Sequence, residues 1–588
     1  KLHQKNFLVF NIIRLKSYPV NFVKNNILFK LNYILKSKYK FYFCIFVFTL
    51  LIGLIFQLIG ISSIIPLTTT FFEQPTDNKI SVIITNIFPF LRSFDNFSIL
   101  LTFFIGCIII SNLIFVFSTY LSAKITFAIE RDIRNTLVNQ FINNSYSFFF
   151  KTNNSNFISL MINETQRLCT SVILPLAEVI SRTILIIGIC LFLIYSANAE
   201  IIIVVTLITF FYFIYYLLIR KKILENNKLL TKNNEDLIKN SNDLFKSLRE
   251  IKIYSIENLF LDKIINITHK IQKIRFFTVF YSISPRYYME IIMFIIIYVL
   301  FLLNDGAIDV EKISMVALYI YAFFKILPSL QGLFSQLMVA KSNLNSLDVI
   351  YSKFKDFHNS NGDSKKQIGA KEEKFKNIKL ENIVFNYDGK KLLDKINIKI
   401  NEGEKIGIKG KSGSGKTSII NLILGMIEPG DGKIYFNDTQ IISNQIINRF
   451  NNKIGIIPQN PTMIETSIKE NILLGEKENK DKLIKSIEIA RLNDFTLEDL
   501  NKDIHSTSLN LSGGQIQRIA IARAIYRLPS ILIIDEGFNQ LDDENEKVII
   551  KNLLKIKDLT VIMIYHKFFN ENLLDKIYSI KNFKLELK

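Results

Sequence analysis

The first 340 residues of the chain alternate between long apolar runs and polar, charged tracts. The first apolar run, Phe41–Phe72, carries no charged residue over 32 positions, and a helix of about 20 apolar residues is enough to cross a bilayer. Five further runs are also long and apolar enough to span a membrane. The pattern therefore predicts a transmembrane domain over residues 41–345 with six spanning helices: Phe41–Phe72, Asn96–Ala123, Leu174–Ala197, Ile201–Ile219, Phe276–Asn304 and Ile313–Ala340.

The charged residues between these spans predict the orientation of the chain. Residues 1–40 hold nine Lys or Arg and no acidic residue, which favours a basic helix on the cytoplasmic membrane surface; a disordered basic tail is the alternative. The polar tracts Lys124–Arg167 and Arg220–Arg275 fall on the same side, whereas the loops on the other side are short and net acidic. One of those loops contains an apolar segment, Ile80–Phe90, which predicts a short helix at the outer surface.

Basic residues concentrate on the cytoplasmic side of membrane proteins. Both termini are therefore predicted to be cytoplasmic, in a protein that crosses the inner (cytoplasmic) membrane several times. The membrane surface also accounts for the formal net charge of +20, so no nucleic-acid partner is expected.

Ionisable residues within the spans are candidates for substrate binding, because charges in a membrane are costly and usually face a cavity or a partner. Glu178 and Arg182 stand four residues apart, as do Arg286 and Glu290, and pairing along the helix is the alternative explanation for all four. Lys325 has no acidic neighbour in sequence. Lys325 is therefore the first candidate for contacting an anionic substrate, and Arg286 is the second.

The character of the chain changes after the last span. Residues 346–374 predict a linker, in which Ser352–Lys374 is polar and helix-poor in pattern, and residues 375–588 predict a soluble α/β nucleotide-binding domain. Strands are predicted at the following segments: Leu380–Tyr387, Lys405–Lys409, Lys453–Ile457, Ile531–Glu536 and Thr560–Ile564.

A phosphate-binding loop follows the second of these strands. The stretch Gly410–Thr417 reads G-x-x-x-x-G-K-[ST] and opens a predicted helix, Ser418–Met426. Glycines let backbone N–H groups approach phosphates, and a helix N-terminus favours anions. Lys416 suits the β- and γ-phosphates and Thr417 suits a magnesium ion. The predicted nucleotide-binding residues here are Gly410, Ser412, Gly413, Ser414, Gly415, Lys416, Thr417 and Ser418.

Two carboxylates end an apolar strand further along. Asp535 suits a magnesium shell, and Glu536 suits a general base that polarises water. His566 ends another apolar strand, at the edge of the sheet where ligands bind in parallel α/β folds. Gln459 follows a third strand, and the run Leu511, Ser512, Gly513, Gly514 and Gln515 opens a helix whose N-terminus suits a phosphate.

These motifs, in this order, resemble the ATP-binding-cassette (ABC) transporter superfamily. Leu511–Gln515 matches its defining signature, and six spans ahead of one cassette resemble an exporter half-transporter. The implied fold is an all-α six-helix transmembrane domain fused to an α/β P-loop ATP-binding cassette. The resemblance further implies that Tyr387 stacks on adenine, that Gln459 joins the magnesium site and couples ATP to the membrane domain, and that His566 is the switch histidine on the γ-phosphate.

In this superfamily the phosphate loop of one cassette joins the signature of another. The resemblance therefore implies a homodimer with two ATP sites, and ATP and Mg²⁺ as cofactors. His505–Asn510 departs from the family, which usually has Gly-Glu-x-Gly there, and Asn539–Asp542 stands where Ser-Ala-Leu-Asp is common. Phe148–Asn154 and Glu250–Glu257 would be the two short coupling helices.

The substrate is predicted from shorter motifs. Ser145–Lys151, Pro285–Glu290 and Lys325–Pro328 resemble the branch that flips lipid-linked oligosaccharides, whose pyrophosphate head would suit Arg286 and Lys325. Membrane lipid and a lipid-linked or amphipathic substrate are thus the expected partners besides a second chain. Export of a peptide or a hydrophobic small molecule is the alternative, and an ATP-gated regulatory membrane protein is a more distant one.

Overall fold

The computed structural model describes twelve stretches of the chain: residues 27–72, 95–144, 154–196, 199–303, 310–360, 374–387, 390–411, 413–441, 453–496, 498–504, 511–565 and 571–587. Two compact units are found: an all-helical one that contains the described residues 27–142 and 154–360, and an α/β one that contains the described residues from 374 onwards. The predicted helix at Ile80–Phe90 lies outside the described residues, as does nearly all of the first predicted coupling helix.

The described part of the first unit consists of helices, both long and short. Their bounds are α1 Ile27–Ile34, α2 Ser37–Ser62, α3 Ile64–Phe71, α4 Asn96–Ile142, α5 Asn154–Ser159, α6 Thr165–Leu168, α7 Leu174–Ser196, α8 Ala199–Lys246, α9 Leu248–Tyr254, α10 Glu257–Leu303, α11 Val310–Ser342 and α12 Leu344–Ser360, with π-helical turns at Leu160–Glu164 and Cys169–Ile173.

Four of the described helical stretches are long and apolar enough to cross a membrane: Ser37–Phe71, Asn96–Ile142, Phe157–Tyr195 and Ser314–Ser342. They overlap four of the six predicted spans. The span predicted at Ile201–Ile219 falls within α8, and the one predicted at Phe276–Asn304 overlaps α10; both stay predictions.

Small residues bring the membrane helices close together. A Cβ atom added at Gly53 of α2 would lie 3.1 Å from a side-chain carbon of Ile114 on α4, and one at Gly188 of α7 would lie 2.5 Å from Leu54. The hydroxyl of Ser111 on α4 also donates to the carbonyl of Gly53 at 3.0 Å. Helices in membranes associate through such close backbone approach and such hydrogen bonds, so α2, α4 and α7 form one packed group.

The prediction of a helix-poor segment was wrong for residues 352–360, because α12 covers them. Leu347, Ile350 and Phe357 recur at helical spacing on α12, and each is at most 1% exposed. Burial of this apolar stripe outweighs the polar composition of the segment. At the other end of the unit, α2 begins at Ser37, four residues before the predicted span.

The second predicted coupling segment, Glu250–Glu257, overlaps the short helix α9. That helix ends at Tyr254, the following Ser255 has a left-handed φ of 52°, and α10 starts at Glu257. A short helix between two long ones is therefore present at this position, and its coupling role stays a prediction.

The second unit contains two sheets and the helices that cover them. The strands are β1 Asn377–Tyr387, β2 Lys390–Asn401, β3 Lys405–Gly410, β4 Asp431–Phe436, β5 Thr439–Ile441, β6 Ile454–Ile457, β7 Ile531–Asp535, β8 Thr560–Ile564, β9 Lys576–Lys581 and β10 Lys584–Leu587. The helices are α13 Lys416–Ile423, α14 Ile468–Leu473, α15 Lys480–Ile489, α16 Gly513–Tyr526 and α17 Asp543–Leu554.

The described strands form an antiparallel sheet of order β2-β1-β4-β5 and a six-stranded sheet of order β10-β9-β3-β8-β7-β6. Neighbours from β9 to β6 in the second sheet are parallel. Successive side chains of β7 and β8 point to opposite faces of this sheet. Ile533 and Ile562 pack with α13 on one face, whereas Leu532 and Val561 pack with α16 on the other.

Candidate functional site

The phosphate loop lies between β3 and α13, as the motif predicts. Gly413 and Gly415 have φ values of 78° and 94°, a left-handed conformation that glycine adopts without steric cost. A Cβ atom at Gly415 would also lie 3.0 Å from Leu393 on β2. These glycines allow the tight turn that aims backbone N–H groups at the start of α13, where an anion is favoured.

Lys416 begins α13 and points back into the loop. Its ammonium donates to the carbonyls of Gly410 at 3.0 Å and Lys411 at 3.1 Å. It also lies 3.5 Å from a carboxylate oxygen of Glu536, and the two side chains are only 6% and 12% exposed. Lys416 and the candidate base Glu536 therefore lie close together, largely shielded from solvent.

Gln459 completes this network from the end of β6. Its amide nitrogen donates to the other carboxylate oxygen of Glu536 at 2.9 Å. Glu536 itself follows β7 with a φ of 48°, a left-handed backbone that is uncommon for a residue other than glycine. Such strained positions persist where surrounding contacts fix them, and here the contacts with Lys416 and Gln459 fix the Glu536 carboxylate.

The magnesium candidates Asp535 and Thr417 lie next to each other. Burial raises the pKa of Asp535 above its usual range, the hydrogen bond from the Thr417 hydroxyl opposes this rise, and the Glu536 charge adds to it. A divalent cation would compensate the carboxylate charge in this buried place. Oxygen donors of this kind are the ligands that Mg²⁺ prefers.

The donor set also fits the phosphates of ATP. The Ser414 hydroxyl in the middle of the loop is buried, and no described residue is its hydrogen-bond partner. Buried polar groups are seldom left unpaired, so a phosphate oxygen would fill a real need at this position. The cluster therefore suits a nucleotide with a bound magnesium ion.

The signature residues form the N-terminus of α16. The Ser512 hydroxyl accepts from the Gln515 backbone N–H at 3.3 Å, and the Gln515 side chain accepts from the Ser512 N–H at 2.9 Å. This capping box fixes the first turn while leaving Ser512 and Gly513 exposed. Leu511 anchors the segment by packing on the hydrophobic core below α16.

The helices that carry the two motifs lie on opposite faces of the six-stranded sheet. α13, which follows the phosphate loop, packs with Ile533 and Ile562, whereas α16 packs with Leu532 and Val561. The structure thus brings Lys416, Thr417, Gln459, Asp535 and Glu536 together and leaves the signature on the other face.

Sequence reasoning missed the residues that support the signature. A Cβ atom at Gly513 would lie 2.5 Å from the Gln540 side chain, and the Gln540 N–H donates to the buried side chain of Gln517 at 3.2 Å. The loop after the base is therefore packed on the signature of the same chain. No local motif signals this contact, because it joins residues more than twenty positions apart in sequence.

Three predicted ATP-site residues have no described side chain. Ser412 and His566 lie outside the described residues, and only the backbone of Tyr387 is described, at the end of β1. Gly410 ends β3, and Ser418 lies in the first turn of α13.

The two substrate candidates differ in their surroundings. Arg286 donates to Glu290 at 2.8 Å along α10, as the pairing alternative predicts, and Arg182 pairs with Glu178 at 3.3 Å. Lys325 is half-buried on α11, and no described residue forms a hydrogen bond or an ion pair with its ammonium. Of the two, Lys325 has the charge that a substrate could engage more readily.

Two family models match the chain in agreement with this arrangement. The model described as ABC transporter transmembrane region matches residues 40–346, and the model described as ABC transporter matches residues 393–539. A Rickettsia bellii protein described as a putative export ATP-binding/permease protein is 26% identical over 494 residues, which are 80% of this chain and 83% of that protein.

Other relatives match mainly over the cassette. The mesentericin-Y105 transport/processing ATP-binding protein of Leuconostoc mesenteroides is 33% identical over 263 residues, 44% of this chain and 35% of that protein. The alpha-hemolysin translocation ATP-binding protein of Escherichia coli is 37% identical over 216 residues, 36% of this chain and 30% of that protein. The matched region thus spans about a third of the length of these two relatives.

A solved structure of a bacterial Atm1-family ABC exporter with ATP bound shares the fold. Its TM-score is 0.70 at 16% identity, with coverage of 93% of this chain and 94% of that chain. The likeness extends over both units, and the transmembrane family model alone covers more than half of the residues. The chain therefore belongs to the ABC transporter family.

Proposed function

We propose that this chain is one half of an ATP-driven exporter that moves its substrate across the cytoplasmic membrane by alternating access. The observation that carries the proposal is the convergence of Lys416, Gln459 and Glu536 beside Asp535 and Thr417. This set contains a cation for the phosphates, oxygen donors for a metal and a held carboxylate for a water. It therefore supports a hydrolytic role for this cassette, with the signature still to be supplied.

Each side chain has a distinct role in this proposal. Lys416 and the N–H groups of the loop hold the β- and γ-phosphates, and Thr417, Asp535 and the Gln459 amide would hold the magnesium ion. The bound ion would neutralise charge on the phosphate oxygens. Glu536 orients the attacking water and accepts its proton. His566 would contact the γ-phosphate, and Tyr387 would stack on the adenine, as the family resemblance implies.

The second half is proposed to be another copy of the same chain. α13 and α16 lie on opposite faces of one sheet, so a signature that covers the phosphate loop has to come from elsewhere. Two identical chains related by a two-fold axis supply it reciprocally, because each phosphate loop meets the other chain's signature. ATP would shift the pair towards the closed state because it contacts both chains only in that state.

The first substrate candidate is an anionic lipid, such as a lipid-linked oligosaccharide. The half-buried ammonium of Lys325 has no partner among the described residues, and an anionic head group would provide one. The second candidate is a peptide or a hydrophobic molecule. Relatives described as mesentericin transport and alpha-hemolysin translocation proteins favour it.

Purified protein in liposomes tests the function directly. Labelled pyrophosphate-linked saccharide should cross the bilayer when ATP and Mg²⁺ are supplied, and should stay in place with a non-hydrolysable ATP analogue. Movement without hydrolysis would contradict the pump and favour an ATP-gated passage. Movement of a peptide but not of the lipid would select the second substrate class.

A Lys325→Gln variant should bind the anionic lipid roughly 10- to 100-fold more weakly, because it loses a charged hydrogen-bond donor worth about 1.5–3 kcal/mol. Its basal ATPase rate should stay near that of the wild type, since Lys325 is outside the cassette. The matched control is Lys341→Gln, an exposed position in the last turn of the same helix. Equal lipid affinity in both variants would remove Lys325 from the substrate site.

A further inference from the structure

The N-terminal segment Ile27–Tyr39 contacts two helices of the membrane unit, α4 and α12. We infer that this segment, called here the N-terminal brace, makes α4 and α12 move together, and that Lys30 and Tyr33 are its positioning residues. The consequence of this inference rests on the proposed export function, whereas its geometry rests on side-chain contacts within the membrane unit.

One end of the brace holds α12. The Lys30 ammonium lies 2.6 Å from a carboxylate oxygen of Asp348, and the Lys30 side chain is only 13% exposed. One turn further, the Tyr33 ring meets the Tyr351 ring edge to face, with centroids 5.3 Å apart. Aromatic pairs of this geometry add stability beyond the area that they bury. A charged contact and an aromatic contact thus join α1 to the same face of α12.

The other end of the brace holds α4. Lys36 and Lys38 lie 3.1 Å and 2.8 Å from the same carboxylate oxygen of Asp132. The Tyr39 hydroxyl donates to the backbone carbonyl of Ala128 at 2.9 Å. Asp132 is thus held by two lysines at once, so this end does not depend on a single flexible side chain.

The three segments also meet in the middle of the brace. Ile34, Ile129 and Phe354 come from α1, α4 and α12, and they surround a void of only 10 Å³. Ile34 is 8% exposed and Ile129 is 3% exposed. Close packing of this kind transmits displacement, because neighbouring side chains have no empty space to absorb it.

The position of these helices in the chain gives the brace its consequence. α12 is the last described helix before the cassette, and α4 leads into the tract where the first coupling helix is predicted. Movement of the cassette would be transmitted to the spans through both α4 and α12. The N-terminal brace joins these two helices. Without its contacts, the cassettes should be able to close and hydrolyse ATP without moving the spans.

Hydrogen exchange of the full chain in lipid nanodiscs tests the contacts. The Lys30→Ala, Tyr33→Ala double variant should exchange the backbone of residues 347–357 about tenfold faster than the wild type, since it loses an ion pair and an aromatic pair. A separate variant that exchanges the two charges, Lys30→Asp with Asp348→Lys, keeps Tyr33 and should exchange these residues at a rate near that of the wild type. Lys353→Ala is the control, because its partner Asp356 lies on α12 itself. Unchanged exchange in the double variant would overturn the brace.

ATPase kinetics test the consequence. The same double variant should raise kcat about two- to fivefold, within the range that losing an ion pair and an aromatic pair allows, and should leave the KM for ATP unchanged. A purely structural role would change thermal stability and leave kcat per folded molecule as it was, and that result overturns the coupling role. A wild-type chain that hydrolyses no ATP would refute the proposed function instead, and the exchange result would still decide the contacts.

Discussion

A Glu536→Gln chain should bind ATP and hydrolyse it about 10²- to 10⁴-fold more slowly than the wild type, the range typical of losing a general base. Gln has nearly the same shape and can still reach Gln459, but it cannot accept the proton of the attacking water. The ion pair with Lys416, now 3.5 Å long, would also be lost. The fold of the site should therefore persist while the chemistry stops.

Phosphate release at saturating ATP and Mg²⁺ measures this effect, alongside nucleotide binding to show that the site is intact. Glu498→Gln is the matched control, because it makes the same change at an exposed carboxylate of the same cassette. Hydrolysis within tenfold of the wild-type rate would assign the proton acceptor to another group.

Mixed dimers should recover activity that neither parent has. Lys416→Ala removes the ammonium from the phosphate loop, and Gly513→Asp places a carboxylate at the helix N-terminus that should face a phosphate. Each variant alone damages both sites of a symmetric dimer. In a mixed dimer, the intact loop of one chain meets the intact signature of the other, so about half of the wild-type ATPase rate should return.

Co-expression with two different affinity tags and purification through both isolates the mixed dimer. The control pairs Lys416→Ala with a chain that carries both changes, which leaves no intact site and should stay inactive. If the mixed dimer recovers no ATPase activity, the loop and the signature act within one chain. That result would contradict the proposal drawn from the packing of α13 and α16 on opposite faces of the sheet.

The cassette was largely predictable from sequence because its motifs have fixed contexts. β8 has the predicted bounds, whereas β3 ends one residue after its predicted end and β7 ends one residue before its predicted end. The contacts of Glu536 were not predictable. Lys416 and Gln459 are distant from it in sequence, and only the parallel pairing of β3, β6, β7 and β8 brings the strand ends together.

In the membrane unit, composition alone predicted the wrong structure for one segment. Ser352–Lys374 is rich in polar residues, which argued for a linker, yet α12 extends to Ser360 because Ile350 and Phe357 are buried. Phe354 of the same helix lines a small void with Ile34 of α1, a tertiary contact that composition does not reveal. Charge patterns were more informative: the pairing of Arg286 with Glu290 follows directly from their spacing.

In the ion pair between Lys416 and Glu536, the carboxylate competes with a γ-phosphate for the lysine ammonium. A γ-phosphate that binds Lys416 would break this ion pair, and the loss would offset part of the attraction between ATP and the loop. After hydrolysis and departure of the γ-phosphate, the ion pair could form again and weaken the binding of the remaining diphosphate. The same two side chains would thus both limit the affinity for ATP and hasten the release of ADP.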